Sequence, residues 1–497
     1  MSSDNTIVAP EPGARSSDSS ASRRAPASLR EAWVALAGLS AVFLFEMLDS
    51  SILNVALPTI GRELNASTTA LQWVTGSYAV VFGGPMLALG ALADRVGRRR
   101  VMLVGLVLLG LASLATAFVS TAGELIAVRV AMGVAAGMTT PGSLALAFRL
   151  FPDDALRVRA MTLISTVGIV GLAIGPTAGG LVLAVAPWQV LLLVNVPIAI
   201  LALVGVRSGI AADDPAELHR APADLAGAAL GTAAIVLSLV APTLFVDRGA
   251  ASAAAWAAST GAVLALVLFV VRERRADHPL LDLALLARPL VSSGLAYKAA
   301  SGLATAGIGY LVTLQLQLDW GWAPALAALG MLPQVVVLIA GGAVITPMMK
   351  RLGLERSAWI SALVVVAGLA VYAVLGRFGY GWVALALVLV SAGMRVVGVV
   401  AGTNVMRGLP ADRTSTGAAL ADTSTEVASA VGIAVPGTIL AALFSGSIAV
   451  APWSAAQTGE FREAVTVAGL VLTVVSALLV GWGYARARGA ADGVTQD

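Results

Sequence analysis

The chain has 497 residues, 58% of them hydrophobic and only 12% charged, with a mean hydropathy of +0.89. A soluble globular protein is usually about 25% charged, so this composition describes a polytopic membrane protein. The net charge of +3 gives no nucleic-acid footprint, and the lack of cysteine excludes disulfides and thiolate metal sites. The two histidines, His219 and His278, fall in polar connecting stretches, so no metal site and no cofactor is expected.

Residues 1–30, rich in Ser, Ala, Pro and Arg without an apolar run, read as a disordered cytoplasmic tail with no signal peptide. At about 20 apolar residues per crossing, the remainder divides into fourteen helices. The first six lie near 31–57, 71–93, 101–120, 124–149, 159–184 and 188–207. A polar stretch, 208–221, precedes two more near 224–246 and 252–271. The charged linker 272–289 then leads to six others near 290–317, 323–349, 356–376, 380–405, 414–443 and 463–484. The domains that follow are an N-terminal six-helix bundle (31–207), a linker with two extra helices (208–275), a C-terminal six-helix bundle (276–484) and a tail (485–497). The 445–461 connection reads as the longest external loop.

Loop charge tests this threading. With the N-terminus cytoplasmic, Arg62, Arg248, Arg377 and Arg462 fall outside, and Arg129, Lys298 and Arg395 fall within helices. The other 24 of the 31 Lys and Arg residues fall in tails or cytoplasmic connections. This positive-inside bias supports an even number of crossings with both termini cytoplasmic.

The first helix carries two acids, Glu46 and Asp49, three residues apart and so on one face. An ionised carboxylate at bilayer depth costs roughly 2.5–3.5 kcal/mol on the gentlest scale, so that face must look at a polar cavity or a partner charge. Arg129, on helix 4, supplies one partner. Counted from the outer helix ends, the depths of Asp49 and Arg129 differ by about 5 Å at 1.5 Å per residue, within reach of a guanidinium.

The second bundle has two bases, Lys298 and Arg395, and two acids, Asp422 and Glu426, at one depth. They are able to neutralise one another if their helices adjoin. Asp422 and Glu426, four apart, share a face; a permanent salt-bridge cluster is the alternative to a coupling role. With Asp49 assigned to Arg129 and this second set balanced, Glu46 is left over. A carboxyl desolvated without a cation holds its proton more readily. Glu46 is therefore the candidate carrier of a coupling proton, with Asp49 tuned by Arg129.

Several motifs have a mechanical reading. In GALADRVGRRR (90–100), Gly90 permits close helix approach and Gly97 a tight turn, while Asp94 with Arg95 and Arg98 can form ion pairs that break on opening. Asp94-Arg95-Val96-Gly97 is echoed by Lys350-Arg351-Leu352-Gly353 in the second bundle, as two equivalent bundles around a midplane cavity require. On helix 5, Gly168, Gly171, Gly175 and Gly179 form one small-residue face, with Pro176 predicting a bend. Asn54, Trp73, Tyr78, Tyr310, Gln315 and Gln317 are candidates to line a cavity; packing or interface anchoring is the alternative.

The 90–100 loop resembles the signature loop of the major facilitator superfamily almost position for position. Leu48-Asp49-x-x-Ile52-x-Asn54-Val55-Ala56-Leu57-Pro58, Gln72-Trp73 with Tyr78, and Trp188 with Asn195-Val196-Pro197 narrow the resemblance to its fourteen-helix drug:proton antiporter branch. GLAIGPTAGG (171–180) is similar to that family's antiporter motif, and Arg129-x-x-x-Gly133-x-x-x-Gly137 to its buried-arginine motif, with Met132 where a glutamine is common. The chain departs from the branch at 422 and 426, where an amide pair is usual.

The resemblance implies an all-α protein of two six-helix bundles plus two central helices. It also implies a monomer in the cell membrane that exports hydrophobic or amphipathic small molecules, drugs or antibiotics among them, against protons by alternating access. A narrow exporter of an endogenous metabolite, amino acid, lipid or self-made antibiotic is the alternative, and a non-transporting sensor a more distant one. No H-E-x-x-H motif, intramembrane histidine, nucleophile with a base, or P-loop points to an enzyme.

Overall fold

A computed structural model describes residues 26, 28–151, 153–213, 224–249, 251–276, 279, 283–342, 347, 351–409, 414–446 and 453–494. His219, His278, most of the N-terminal tail and most of the 208–221 stretch lie outside the described residues. Among those described, twelve helices are long and apolar enough to cross a membrane. A thirteenth span arises if α2 (Thr68–Gly83) and α3 (Met86–Val96) are read as one helix bent by 48°. Gly84 and Pro85 occupy that break, directly after Gly83, where proline removes an N–H and small residues tolerate the turn. The span expected at 323–349 is described in part, as α13 (Pro324–Gly330) and α14 (Leu332–Ala340).

The first group of helices is α1 (Trp33–Glu63), α2, α3, α4 (Arg98–Ala115), α5 (Ala122–Leu150), α6 (Asp154–Leu183), α7 (Gln189–Leu193) and α8 (Asn195–Gly209). Here α1 packs on α5, α6 and α8, and α4 packs on α5 and α8. The α6 glycine stripe explains the closest of these contacts. A Cβ at Gly168 would lie 2.3 Å from Phe43, at Gly171 2.8 Å from Leu44, at Gly175 2.0 Å from Ser51 and at Gly179 2.9 Å from Ile52. The stripe therefore seats the helix that carries Glu46 and Asp49. The α6 helix runs on through Pro176.

Next come α9 (Leu225–Arg248) and α10 (Ala253–Arg275), packed on each other. Asp224 caps α9 through the Gly227 N–H at 2.9 Å and pairs with Arg272 of α10 at 2.7 Å. Burial would push this carboxyl up, but the Gly227 amide and the Arg272 guanidinium outweigh it and hold Asp224 below its usual range. Leu239 of α9 joins Ala79 and Val80 of α2 and Ala430 and Ala434 of the second group in one apolar cluster. The hairpin thus lies along a seam between the two groups, and it turns Val263, Leu264, Leu266 and Val267 outward.

The second group is α11 (Leu283–Ala287), α12 (Pro289–Leu314) with a π-helical turn at Gln315–Asp319, α13, α14, α15 (Leu354–Leu375), α16 (Tyr380–Arg407), α17 (Thr414–Leu443) and α18 (Ala455–Val494). Here α12 packs on α16, α17 and α18. The last helix begins at Ala455, earlier than expected. Ser454 and Gln457 cap each other (Gln457 N–H to Ser454 Oγ 3.2 Å, Ser454 N–H to Gln457 Oε1 2.9 Å), so the connection expected over 445–461 is shorter.

The face at which α1 begins and α18 ends is called the terminal face below; the opposite one is the far face. Toward the far face the two groups meet closely. Gln72 donates to the Ala434 carbonyl (3.0 Å) and to Thr438 Oγ1 (3.2 Å), and Gln317 donates to the Val55 carbonyl (2.8 Å). Gly180 of α6 lies against Pro324 and Ala328 of α13, and a Cβ there would come within 2.4 Å of Ala328. The far half is closed.

Candidate functional site

The two acids of α1 have different surroundings. Asp49 is fully buried. Its Oδ2 lies 2.6 Å from Arg129 Nη1, and its Oδ1 accepts from Asn195 Nδ2 at 3.0 Å. Arg129 is 2% exposed; its Nε donates to the Val74 carbonyl (3.2 Å), and its guanidinium lies 4.3 Å from the Tyr78 ring centre. Every element around the pair contributes: α1 the acid, α5 the base, α2 a carbonyl and an aromatic face, α8 an amide. A pair so enclosed joins α1, α2, α5 and α8, and among the described residues neither charge makes a second ion pair.

Glu46, one helical turn toward the terminal face, is equally buried at 4% exposure. Its Oε2 accepts from Thr140 Oγ1 at 2.9 Å, and among the described residues no cation lies within ion-pair distance. Its charged neighbours are carboxylates of the second group, Glu426 first and Asp422 next. Glu426 approaches α2 closely, since a Cβ on Gly83 would lie 3.0 Å from the Glu426 Cβ. The three acids therefore converge on the boundary between the two helix groups, and Lys298 is the base beside Asp422 and Glu426.

Arg395 is elsewhere. Its guanidinium donates to the Leu338 carbonyl of α14 and crowds Gly342, so it does not join the neutral four-residue set that equal helix depths suggested. The reason is azimuth: depth along a helix says nothing about the direction a residue faces. With Glu46, Asp422 and Glu426 ionised and Lys298 the one base facing them among the described residues, this cluster carries a formal charge of −2 rather than −1.

The other sequence candidates divide. Tyr78 is buried beneath Arg129 and serves the ion pair. Tyr310 is fully buried in the apolar core. Gln315 donates to the Gly376 carbonyl (3.2 Å), and with Gln317 it belongs to the far-face half. Asn54 and Trp73 are half-buried.

At the terminal face Asp94 pairs with Arg98 at 2.5 Å, Arg95 is exposed, and Gly90 sits inside α3. Gly97 adopts φ +117°, and Gly353, its counterpart in the echoed loop, φ +78°; each immediately precedes a helix. Lys350 lies outside the described residues. Asp213 presses its carboxylate onto Gly97 and accepts from the N–H groups of Arg99 (3.1 Å) and Arg100 (3.0 Å), capping α4.

Residues 39–433 match the family model of the Major Facilitator Superfamily. The chain belongs to that superfamily. It is 30% identical over 445 residues to the cephamycin export protein CmcT of Amycolatopsis lactamdurans, covering 87% of this chain and 89% of that one. It is 31% identical over 429 residues to the methyl viologen resistance protein SmvA of Salmonella typhimurium (84% of each), and 30% identical to the multidrug efflux pump LfrA of Mycolicibacterium smegmatis (87% and 86%). A solved peptide-transporter (POT) family structure shares the fold at TM-score 0.63 and 15% identity, covering 90% of this chain and 96% of that one.

Within this superfamily member, three contacting residues were not singled out as site residues from sequence: Thr140 on Glu46, Asn195 on Asp49, and Asp213 on the backbone of the 90–100 loop. Asn195 stood in a recognised signature, so its position was visible and its partner was not. Thr140 follows Thr139 in an apolar helix, and nothing in its spacing distinguishes it. Asp213 lies in a polar linker that looks like any other.

Proposed function

We propose that this chain is a proton-coupled exporter of amphipathic small molecules, cations foremost, with both termini cytoplasmic and the terminal face as the substrate-loading side. The observation that carries the reading is the convergence of Glu46 with Asp422 and Glu426 at the boundary between the helix groups, against one base among the described residues, Lys298. An excess of negative charge in a low-dielectric setting attracts either protons or a cationic substrate, and the two exclude each other. Proton arrival at Glu46 lowers the formal charge of the site from −2 to −1, weakens its hold on a cation and releases the substrate; deprotonation toward the cytoplasm restores it. Names carried by relatives, methyl viologen resistance and multidrug efflux, fit a cationic cargo. The work is done by one copy, since the acids and Lys298 belong to one chain, and it requires no cofactor.

The Asp49–Arg129 pair has a structural part in this scheme. It keeps α1 docked on α5 while Glu46 titrates, and the α6 glycine stripe supports the same helix from behind. Narrow export of one endogenous compound is the second reading. Lys298 beside two acids offers a zwitterion partners of both signs, and one relative is named for cephamycin export.

The test is reconstitution into proteoliposomes with an imposed pH gradient, using methyl viologen, tetraphenylphosphonium, a neutral dye and a zwitterionic β-lactam as cargo. Gradient-driven, saturable movement of the cations, lost in Glu46→Gln at normal expression, is the expected result. Full proton-driven transport by Glu46→Gln removes Glu46 from the role. Flux of the zwitterion alone favours the second reading, and binding without flux refutes both.

A further inference from the structure

The far-face end of α12 contains a feature that the transport reading leaves unused. Its last turn, Gln315–Asp319, is π-helical, a geometry that recurs at functional sites. Three polar atoms meet there that make no hydrogen bond among the described residues: Gln315 Oε1, Asp319 Oδ2 and the Tyr372 hydroxyl. All three side chains are buried, Gln315 to 3% exposure, Tyr372 to 2% and Asp319 to 1%. They line one cavity of about 10 Å³ together with Ala373, Arg377, Phe461 and Arg462. The remaining polar atoms are already fixed: Gln315 Nε2 on the Gly376 carbonyl, and Asp319 Oδ1 on Arg462 Nε at 2.8 Å.

We infer that this cavity is a built site for a single water molecule, and that the hydrated π-turn is the latch holding the far face closed. Size and chemistry agree. A water needs roughly 10–15 Å³ and two to four polar partners. Here one water donates to Asp319 Oδ2 and to Gln315 Oε1 and accepts from the Tyr372 hydroxyl, satisfying all three at once. A metal cation is disfavoured because Arg377 and Arg462 both line the cavity, and an anion because two of the three free atoms only accept. Water exchanges through the adjoining open cleft of about 530 Å³, which shares Arg377, Arg462 and Thr466 with the cavity.

The latch follows from what the turn carries. Gln317, in the middle of the π-turn, donates to the Val55 carbonyl of α1 across the boundary between the helix groups. One side of the turn is therefore tied to α15 and α18 by Gln315, the water and Asp319, and the other side to α1. Loosening either side releases α1 at the far face.

The experiment uses the full-length protein in nanodiscs and in cells. Radiolytic hydroxyl footprinting reports waters bound beside tyrosines: Tyr372 should be oxidised faster than the comparably buried Tyr297 and Tyr310. Because the chain has no cysteine of its own, Val55→Cys offers one labelling site, buried at 1% exposure. Gln317→Ala and Asp319→Asn should each speed its reaction with an impermeant maleimide from the far face about tenfold, the effect of losing one buried hydrogen-bonded anchor. Ala373→Val, which fills the cavity and keeps every hydrogen-bonding side chain, should suppress the Tyr372 signal and raise the labelling as well. Tyr372 oxidised no faster than Tyr297 and Tyr310 overturns the water site. Unchanged Val55→Cys labelling in Gln317→Ala overturns the latch. Neither readout depends on substrate or protons, so failure here leaves the transport proposal standing and can be told apart from its failure.

Discussion

The Asp49–Arg129 pair offers the clearest quantitative test. Both side chains are at most 2% exposed, and the charge on each is met by the other, by Asn195 and by the Val74 carbonyl. Arg129→Met leaves Asp49 buried with one amide donor, and Asp49→Asn leaves Arg129 buried without an anion. Breaking a buried pair from one side costs about 3–5 kcal/mol, whereas replacing both charges is often close to neutral. The double variant should therefore be far more stable than the singles imply, with a coupling energy of about 3 kcal/mol, the upper end for contacting residues. The assay is reversible unfolding in mixed detergent–SDS micelles, followed by tryptophan fluorescence with the buried Trp188 among the reporters. Single-variant losses that add to within about 0.5 kcal/mol in the double would refute the pairing as the organising contact.

Three further outcomes follow from separate contacts. Gly175→Val puts a branched side chain where even a Cβ meets Ser51 at 2.0 Å, so α1 must shift from α6, at a cost of about 1–3 kcal/mol measurable in the same unfolding assay. Asp213→Ala removes the cap of α4 and should cost about 1 kcal/mol, while Gly97→Ala should cost more because φ +117° and the Asp213 carboxylate both oppose it; hydrogen exchange at the start of α4 reports each. Asp224, held below its usual range, lends the α9–α10 hairpin stability that is fully present above about pH 3.9 and is lost as pH falls through its lowered value. Amide exchange at Gly227 and Ala228, taken relative to α4 amides at the same pH, should therefore rise on acidification, and Asp224→Asn should lack that dependence.

Much of this protein is legible in one dimension because a bilayer permits so few solutions. Every backbone polar group in the hydrocarbon must be paired within its own segment, so long apolar runs become helices, and basic loops mark one side. The positions of Glu46, Asp49 and Arg129 along their helices fixed their depths, and depth sufficed to bring Asp49 and Arg129 within reach. The glycine stripe announced a tightly packed face, since a missing Cβ every three or four residues has little other use.

Facing, and proximity between distant segments, waited for the folded chain. Arg395 shares the depth of Lys298 but turns to the Leu338 carbonyl. Glu46 precedes Asp422 and Glu426 by about 380 residues, and the three converge only because α2 and α17 meet at Gly83. Thr140, Asn195, Asp213 and the water-sized cavity beneath Arg462 gain their meaning from partners brought by other helices. Local sequence sets what each segment can be, through its apolar length, its small residues and its charges. Rotation of each helix about its own axis is settled only by packing against all the others, and that rotation decides which charges see one another.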